Sequence, residues 1–252
     1  MSFLNLIKWK KIAMLILMAL LMRFCLLPYF VFEIQIDNFE FALLILALVF
    51  ILAAANIVNQ VYNSVAIQIN NPEKLLIPNK FSQKISLFLY FLFNALGLIS
   101  ALAFAFLVNS NKNWLLFSCI ILGVILYLAY AIYFKNLAIL GNFVKSFLSA
   151  FSIIIIGFSI FNLQNHPFLV FFISIFALSL FLLNFVSLIL KNIIEIQGDY
   201  FARKSTLPIL IGKKRSQLVA FFLIIISVLL IISTTLAYFI DKNLLMFYVF
   251  VA

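Results

Sequence analysis

Two carboxylates, Glu195 and Asp199, stand four residues apart in the run KNIIEIQGDYFARKSTLPILIGKKR. On a helix that spacing lets both aim at one cation, or at one bound phosphate through a cation. Asn184 and Asn192 fall close to the same helical face, Lys191 lies beside them, and Arg203 and Lys204 follow where the helix should end. A segment like this standing alone is as readily a solvated helix end, so its chemistry depends on what it faces.

A second polar ladder supplies a partner. In NIVNQVYNSVAIQINNPEKLLIPNK, Asn56 to Lys80, the amides Asn56, Asn59, Gln60 and Asn63 recur at helical spacing and form one stripe. The stripe follows a very apolar run, yet amides are not expected to face hydrocarbon. They either wall a polar cavity or hydrogen-bond to neighbouring helices. With Lys135 after a later apolar run, three polar segments are expected to converge on one cavity.

The elements that must position them are membrane spans. Hydrophobic residues make up 67% of the 252 and charged ones 10%, with a mean hydropathy of +1.26, which excludes an ordinary soluble domain. Runs long enough to cross about 30 Å of hydrocarbon lie near 12–32, 41–58, 85–108, 114–134, 143–163, 167–190 and 218–240, and an eighth begins near Leu244 and stops at Ala252. The expectation is an all-α polytopic bundle forming one domain over 1–252, with no linker. The first run is too long for a cleavable signal and lacks a small-residue cleavage site, so it is read as a retained helix. Cys25 and Cys119 both fall within spans and have no CxxC partner, which makes them packing residues.

The formal charge of +10 does not indicate nucleic acid, because the cations alternate by loop. Lys8, Lys10 and Lys11 precede span one; Lys74, Lys80 and Lys84 follow span two; Lys135 and Lys145 follow span four; Lys191, Arg203, Lys204, Lys213, Lys214 and Arg215 follow span six. The positive-inside rule then puts the N-terminus and these loops in the cytoplasm of an inner, cytoplasmic membrane, and Glu33, Asp37 and Glu40 on the other side. Arg23, about 17 Å along the first helix, is expected near mid-bilayer, paired with a buried amide or carbonyl. His166, before Pro167, reads as a plain loop residue, and the many Phe as lipid-facing and packing surface.

In this order and spacing the segments resemble the UbiA superfamily of intramembrane prenyltransferases. The family's first motif, N-D-x-x-D-x-x-x-D-x-x-N-x-P, is similar to NQVYNSVAIQINNP, in which Asn59, Asn70 and Pro72 keep the family's residue types. Its second, K-D-I-E-D-x-x-G-D followed by T-L-P-I-x-x-G-x-x-K, resembles KNIIEIQGD, Lys191 to Asp199, and TLPILIGKK, Thr206 to Lys214. YFKNLAILGN, Tyr133 to Asn142, resembles the family's Lys-bearing connection, and LMRFCLLP, Leu21 to Pro28, is similar to the first helix of bacterial homologues of geranylgeranylglycerol-phosphate geranylgeranyltransferase.

The resemblance implies transfer of a polyprenyl group from an isoprenyl diphosphate, such as geranylgeranyl diphosphate, to a lipophilic or glycerol-phosphate acceptor among membrane lipids. It implies Mg²⁺ at Glu195 and Asp199, with Asn192 completing the catalytic set. It implies a diphosphate held by Asn59, Gln60, Asn63, Lys11, Lys74, Lys135, Lys191, Arg203 and Lys204.

Carried over position by position, however, the three Asp of the first motif become Gln60, Asn63 and Ile67, and in the second motif Asn192, Ile194 and Glu195 replace family acids. Lys11 stands where the family often has Asn. The metal site is therefore expected to be weakened, and the relatives' usual nine spans make the ending within an eighth a further departure. The alternative is a catalytically inactive member that binds a prenyl lipid or supports a protein partner. A small transporter would show repeated halves with helices broken at mid-membrane, and these are not evident.

Overall fold

A computed structural model describes residues 2–26, 36–108, 111–160 and 167–251. Helix α1 (Ser2–Ile7) stops at Lys8, whose φ of 55° is left-handed, and α2 (Trp9–Leu21) continues into a π turn, Met22–Leu26. Next comes α3 (Asn38–Val61). Its start is set by Asp37, whose backbone N–H donates to the Glu40 carboxylate at 2.9 Å, the reciprocal arm of a capping box. A break at Tyr62 and Asn63 precedes α4 (Ser64–Asn70), which leads through a short 3-10 turn, Pro72–Lys74, towards α5 (Gln83–Val108). Then follow α6 (Asn111–Ile132), the 3-10 turn Phe134–Asn136, α7 (Ala138–Ile160) and α8 (Pro167–Ile194). A second break at Glu195 gives α9 (Ile196–Phe201), the two-residue strand β1 (Ser205–Thr206), α10 (Leu207–Ile211) and α11 (Lys213–Val251).

Six helices among the described residues are long and apolar enough to cross a membrane: 38–61, 83–107, 114–132, 138–160, 173–194 and 213–233. They are spans two to seven of the sequence reading, and the chain is an integral membrane protein. The first expected span is helical from Trp9 to Leu26 in two pieces, and its remainder lies outside the described residues. The polar run Asp241–Asn243, read as the turn before an eighth span, lies inside α11. With neither Gly nor Pro between 213 and 251, nothing in that segment breaks the backbone hydrogen-bond ladder.

Helix α3 is the centre of the bundle. Leu44, Ala47, Ala54, Ile57 and Val58 along it are buried, and it packs along α5 for most of its length and touches α1, α2, α6 and α7. At one end Leu44 and Leu48 join Phe104, Ile120 and Ile156 in the largest apolar cluster. At the other, Ile57, Val58 and Val61 join Leu6, Leu76, Ile77 and Tyr90. Helix α8 packs between α7 and α11, with Ile189 and Ile193 against Leu207 and Ala220.

Arg23 corrects one expectation. Its guanidinium donates to the Ile36 carbonyl and to Asn38 Oδ1, both at 2.9 Å, and lies 4.6 Å from the Phe41 ring. The structural pairing with an amide and a carbonyl holds, but the residue sits level with the first turn of α3, at the end of the bundle rather than its middle. Its two partners fix that level, because Ile36 precedes α3 and Asn38 opens it. His166 lies outside the described residues, as does the side chain of Cys25; Cys119 is a free, half-buried thiol.

Candidate functional site

The two polar segments meet. Asn70, on the last turn of α4, donates from Nδ2 to the Glu195 carbonyl at 3.1 Å and accepts from the Gly198 N–H through Oδ1 at 2.9 Å. Both bonds fall at the break between α8 and α9: the Gly198 N–H lies in the first turn of α9, where donors lack helical partners, and the Glu195 carbonyl accepts from Asn70 as well as from the Asp199 N–H at 3.1 Å. The approach is close enough that a Cβ on residue 198 would lie 2.3 Å from Asn70 Nδ2, so any larger residue there must displace the Asn70 amide.

The connection between α6 and α7 joins them. Leu137 and Ala138 pair in parallel with Ser205 and Thr206, which draws Lys135 beside Lys204. Gly141 permits this, since a Cβ there would lie 2.4 Å from the Phe134 carbonyl oxygen. Lys135 Nζ donates to the Tyr62 carbonyl and stands 5.6 Å from that residue's ring. All three polar connections therefore share one end of the bundle.

They enclose a polar cavity of about 40 Å³ lined by Asn59, Asn63, Tyr130, Lys135, Asn142, Lys145, Lys191, Asn192, Glu195, Asp199, Lys204 and Thr206. Deeper between α2, α3, α6, α7 and α8 lies a larger cavity of about 220 Å³. Its walls include Met14, Leu15, Met18, Leu52, Ala55, Tyr127, Ile153 and Leu180, with Asn56 and Asn184. Asn59, Tyr130 and Lys145 border both, so the two form an amphipathic pair with a cationic head and an apolar body.

Charge in the polar cavity is already partly matched. Asp199, 2% exposed, accepts from Lys204 Nζ at 2.8 Å, and Glu195 pairs with Lys191 at 3.5 Å. Burial and the neighbouring Lys204 ammonium push Lys135 down to about 8. Lys8, at the junction of α1 and α2, is pushed down to about 7 by burial and then by Lys191 and Lys11, against a smaller opposing pull from Glu195. Three side-chain atoms on the cavity wall are buried without a partner: Asn63 Oδ1, Asn142 Nδ2 and Thr206 Oγ1. Asn142 is itself held by Asn192, whose Nδ2 donates to Asn142 Oδ1 at 3.2 Å.

Of the residues expected from sequence, Asn59, Asn63, Lys135, Lys191, Asn192, Glu195, Asp199 and Lys204 line this cavity, whereas Lys11 borders the apolar one. Gln60 lines neither. It is 6% exposed, and its Nε2 donates to the Leu6 carbonyl at 2.8 Å and to that of Asn5 at 3.4 Å. Asn56 does the same to the Ile7 carbonyl at 3.0 Å. These amides cap the C-terminus of α1, so part of the stripe is interhelical bonding and part is cavity wall. Arg203 also lines neither; at φ 53° it closes the turn after α9 and is exposed. The Lys74 side chain lies outside the described residues.

Lys145, Tyr130 and Asn142 were missed as site residues. The signal was available: Asn142, Lys145, Ser149 and Ser152 are spaced 3, 4 and 3 apart on α7, the helical periodicity that singled out the amides of α3.

The donor set has room for one metal ion. The lysine contacts take one carboxylate oxygen on Asp199 and one on Glu195, leaving one on each, and Asn63 Oδ1 is an unpartnered neutral oxygen nearby on the same wall. That suits a single Mg²⁺, which binds through one or two carboxylates when substrate phosphates complete its shell. It does not suit two, because α3 and α4 bring no carboxylate to this end of the bundle and no group of three potential ligands among His, Cys, Asp and Glu converges among the described residues.

Comparison with known proteins agrees with this geometry. The profile of the UbiA prenyltransferase family matches residues 15–252. The digeranylgeranylglyceryl phosphate synthases of Methanobrevibacter smithii and Methanosarcina mazei are 26% and 28% identical to this chain over 187 and 213 residues. Those stretches are 73% and 82% of this chain, and span 63% and 66% of the length of the two relatives. A UbiA homolog from Archaeoglobus fulgidus, solved bound to GPP and Mg²⁺, superimposes with a TM-score of 0.68 at 18% identity, over 94% of this chain and 78% of that one.

Proposed function

The chain belongs to the UbiA prenyltransferase family, and from that premise we propose that it binds an isoprenyl diphosphate and transfers the prenyl group to a lipophilic or glycerol-phosphate acceptor. The names of the two archaeal relatives point to a geranylgeranyl donor and a glycerol-phosphate lipid acceptor. The observation that carries the proposal is the pair of cavities that share Asn59, Tyr130 and Lys145. An anionic head fits the lysine-lined part and a prenyl chain the apolar part, which brings the bond between them to the shared residues.

The reaction breaks the allylic C–O bond, leaves the electron pair on pyrophosphate and passes the carbocation to an acceptor oxygen that loses its proton. Lys135, Lys145, Lys191 and Lys204 face the oxygen on which charge develops, and electrostatic stabilisation of that kind acts most strongly where water is scarce. Tyr130 presents its ring at the junction, 5.4 Å from Lys145 Nζ, and the apolar wall excludes water that would otherwise capture the cation. Asn192 positions Asn142 for a substrate oxygen. Glu195 and Asp199, with Asn63, would hold one Mg²⁺, which supplies further charge neutralisation to the leaving group.

The 252 residues act as one membrane domain in this reading. The lysine-rich end faces the cytoplasm of an inner membrane, as the distribution of cations favours. A second reading, prenyl-lipid binding or partner support without turnover, draws on the missing acids of the first motif. One experiment separates them: purified protein is supplied with geranylgeranyl diphosphate, Mg²⁺ and a glycerol-phosphate acceptor, and pyrophosphate release is followed. Release that is lost in Glu195→Ala and Asp199→Ala supports transfer, and bound substrate without release supports the second reading.

A further inference from the structure

We propose that four lysines, Lys135, Lys145, Lys191 and Lys204, form a cage that holds the diphosphate head without a divalent metal ion. The inference rests on the isoprenyl diphosphate reading above and concerns what that site uses to bind.

The four ammonium groups come from four different elements: the turn after α6, helix α7, helix α8 and the turn after α9. They surround one cavity. Among the described residues only Glu195 and Asp199 oppose them there, each already matched by a lysine at 3.5 and 2.8 Å. Lys135 and Lys145 are left over, set against the Tyr62 carbonyl and the rings of Tyr62 and Tyr130.

The unpartnered polar atoms point the same way. Asn142 Nδ2 is a buried donor and Thr206 Oγ1 a buried hydroxyl, and neither has an acceptor. A buried donor without an acceptor is costly, and the oxygens of a diphosphate would satisfy both. Asn63 Oδ1, the remaining orphan, is an acceptor and matches a lysine N–H or a metal ion rather than the anion.

In a site walled by carboxylates an incoming diphosphate meets like charge, and a divalent ion must bridge the two before either can stay. Here the carboxylates are neutralised within the chain before substrate arrives, and two lysines without a carboxylate partner remain. Binding and ionisation are thereby separated: the lysines bind, and metal assists only the departure of pyrophosphate.

The test is titration of the full, detergent-solubilised chain with geranylgeranyl diphosphate, in excess EDTA and in Mg²⁺, followed calorimetrically. The expected result is a Kd in EDTA within about threefold of that in Mg²⁺. A Lys135→Met/Lys145→Met variant should lose about tenfold or more in EDTA, since charge-assisted contacts are the strong ones. Lys135→Arg/Lys145→Arg should retain binding, and thermal unfolding of both variants reports whether they fold. Binding that appears only with Mg²⁺, or that survives unchanged in the methionine variant, overturns the cage and leaves the isoprenyl diphosphate reading standing. No binding in either condition overturns both.

Discussion

Asn70 bridges Gly198 and Glu195, accepting from the Gly198 N–H while donating to the carbonyl of Glu195 three positions earlier. The clamp ties the first polar segment to the second and fixes the break from which Glu195 and Asp199 project. Gly198→Ala places a methyl within 2.3 Å of Asn70 Nδ2, an overpacking that costs about 1–3 kcal/mol. Asn70→Ala removes two hydrogen bonds at about 1 kcal/mol each. Because both changes act on one contact, the double variant should be less destabilised than the sum by about 1 kcal/mol or more. Thermal unfolding of the four proteins in one detergent checks this, and strict additivity would show that the clamp does not exist.

Restoring acids to the first motif should have opposite results at two neighbouring positions. Gln60→Asp sets a carboxylate against the carbonyls of Asn5 and Leu6 and takes away the donor that caps α1. It should lower thermal stability with no gain in metal affinity. Asn63→Asp instead adds charge to a cavity wall where an acceptor already lacks a partner. Its binding of geranylgeranyl diphosphate should weaken about tenfold in EDTA and recover with Mg²⁺, which bridges the added carboxylate and substrate. If the two variants behave alike, the division of the amide stripe into cap and cavity wall is wrong.

That division marks how far the sequence could be read. Periodicity alone placed Asn56, Asn59 and Gln60 on one side of α3, with Asn63 in line just past its end, and apolar run lengths located spans two to seven, because both depend only on helical geometry. What a stripe touches depends on its neighbour. The separate helix α1, created by the left-handed turn at Lys8, takes Asn56 and Gln60 out of the polar cavity, and the contacts with Ile36 and Asn38 set Arg23 at the end of the bundle. Lys145 was read as a topology marker because it lies near the start of a span, although its periodicity with Asn142 and Ser149 was visible. The ion pairs that occupy both carboxylates could be suspected from Lys191 and Glu195 at i,i+4, but the Lys204 to Asp199 contact needs the turn at Arg203.

The lowered position of Lys135 gives the site a pH dependence with a definite sign. Its ammonium form is favoured below about 8 in the free protein and is the form that attracts a diphosphate. Affinity in EDTA should therefore hold up to that pH and fall as pH rises through it. Binding should take up protons just above it, since an anion raises the lysine back towards its ordinary value. For folding the sign is reversed: the depressed value costs stability that is recovered as pH rises from about 8 towards the ordinary lysine range. Lys8, down at about 7, is already neutral in the folded chain over that window, so it leaves the binding profile there unchanged while adding to the rise in stability. Lys135→Arg should abolish the fall, because arginine stays charged throughout. Calorimetry in two buffers of different ionisation enthalpy reads the proton uptake, and a profile unchanged by the arginine would assign the titration elsewhere.

The Asp199 to Lys204 pair separates holding the site together from operating it. Both side chains are withdrawn from solvent, at 3% and 10% exposure, so removing either partner strands a charge, and Asp199→Asn or Lys204→Met alone should cost about 3–5 kcal/mol. Removing both leaves no uncompensated charge, and the double variant Asp199→Asn/Lys204→Met should regain most of that stability. It should not regain Mg²⁺-dependent pyrophosphate release, because one of the two carboxylates available to a metal ion has gone. Unfolding temperature and turnover measured on the same three preparations therefore have to part company: stability returning without release assigns Asp199 a role in the chemistry, whereas release returning with stability would reduce it to a structural anion whose partner happens to be a lysine.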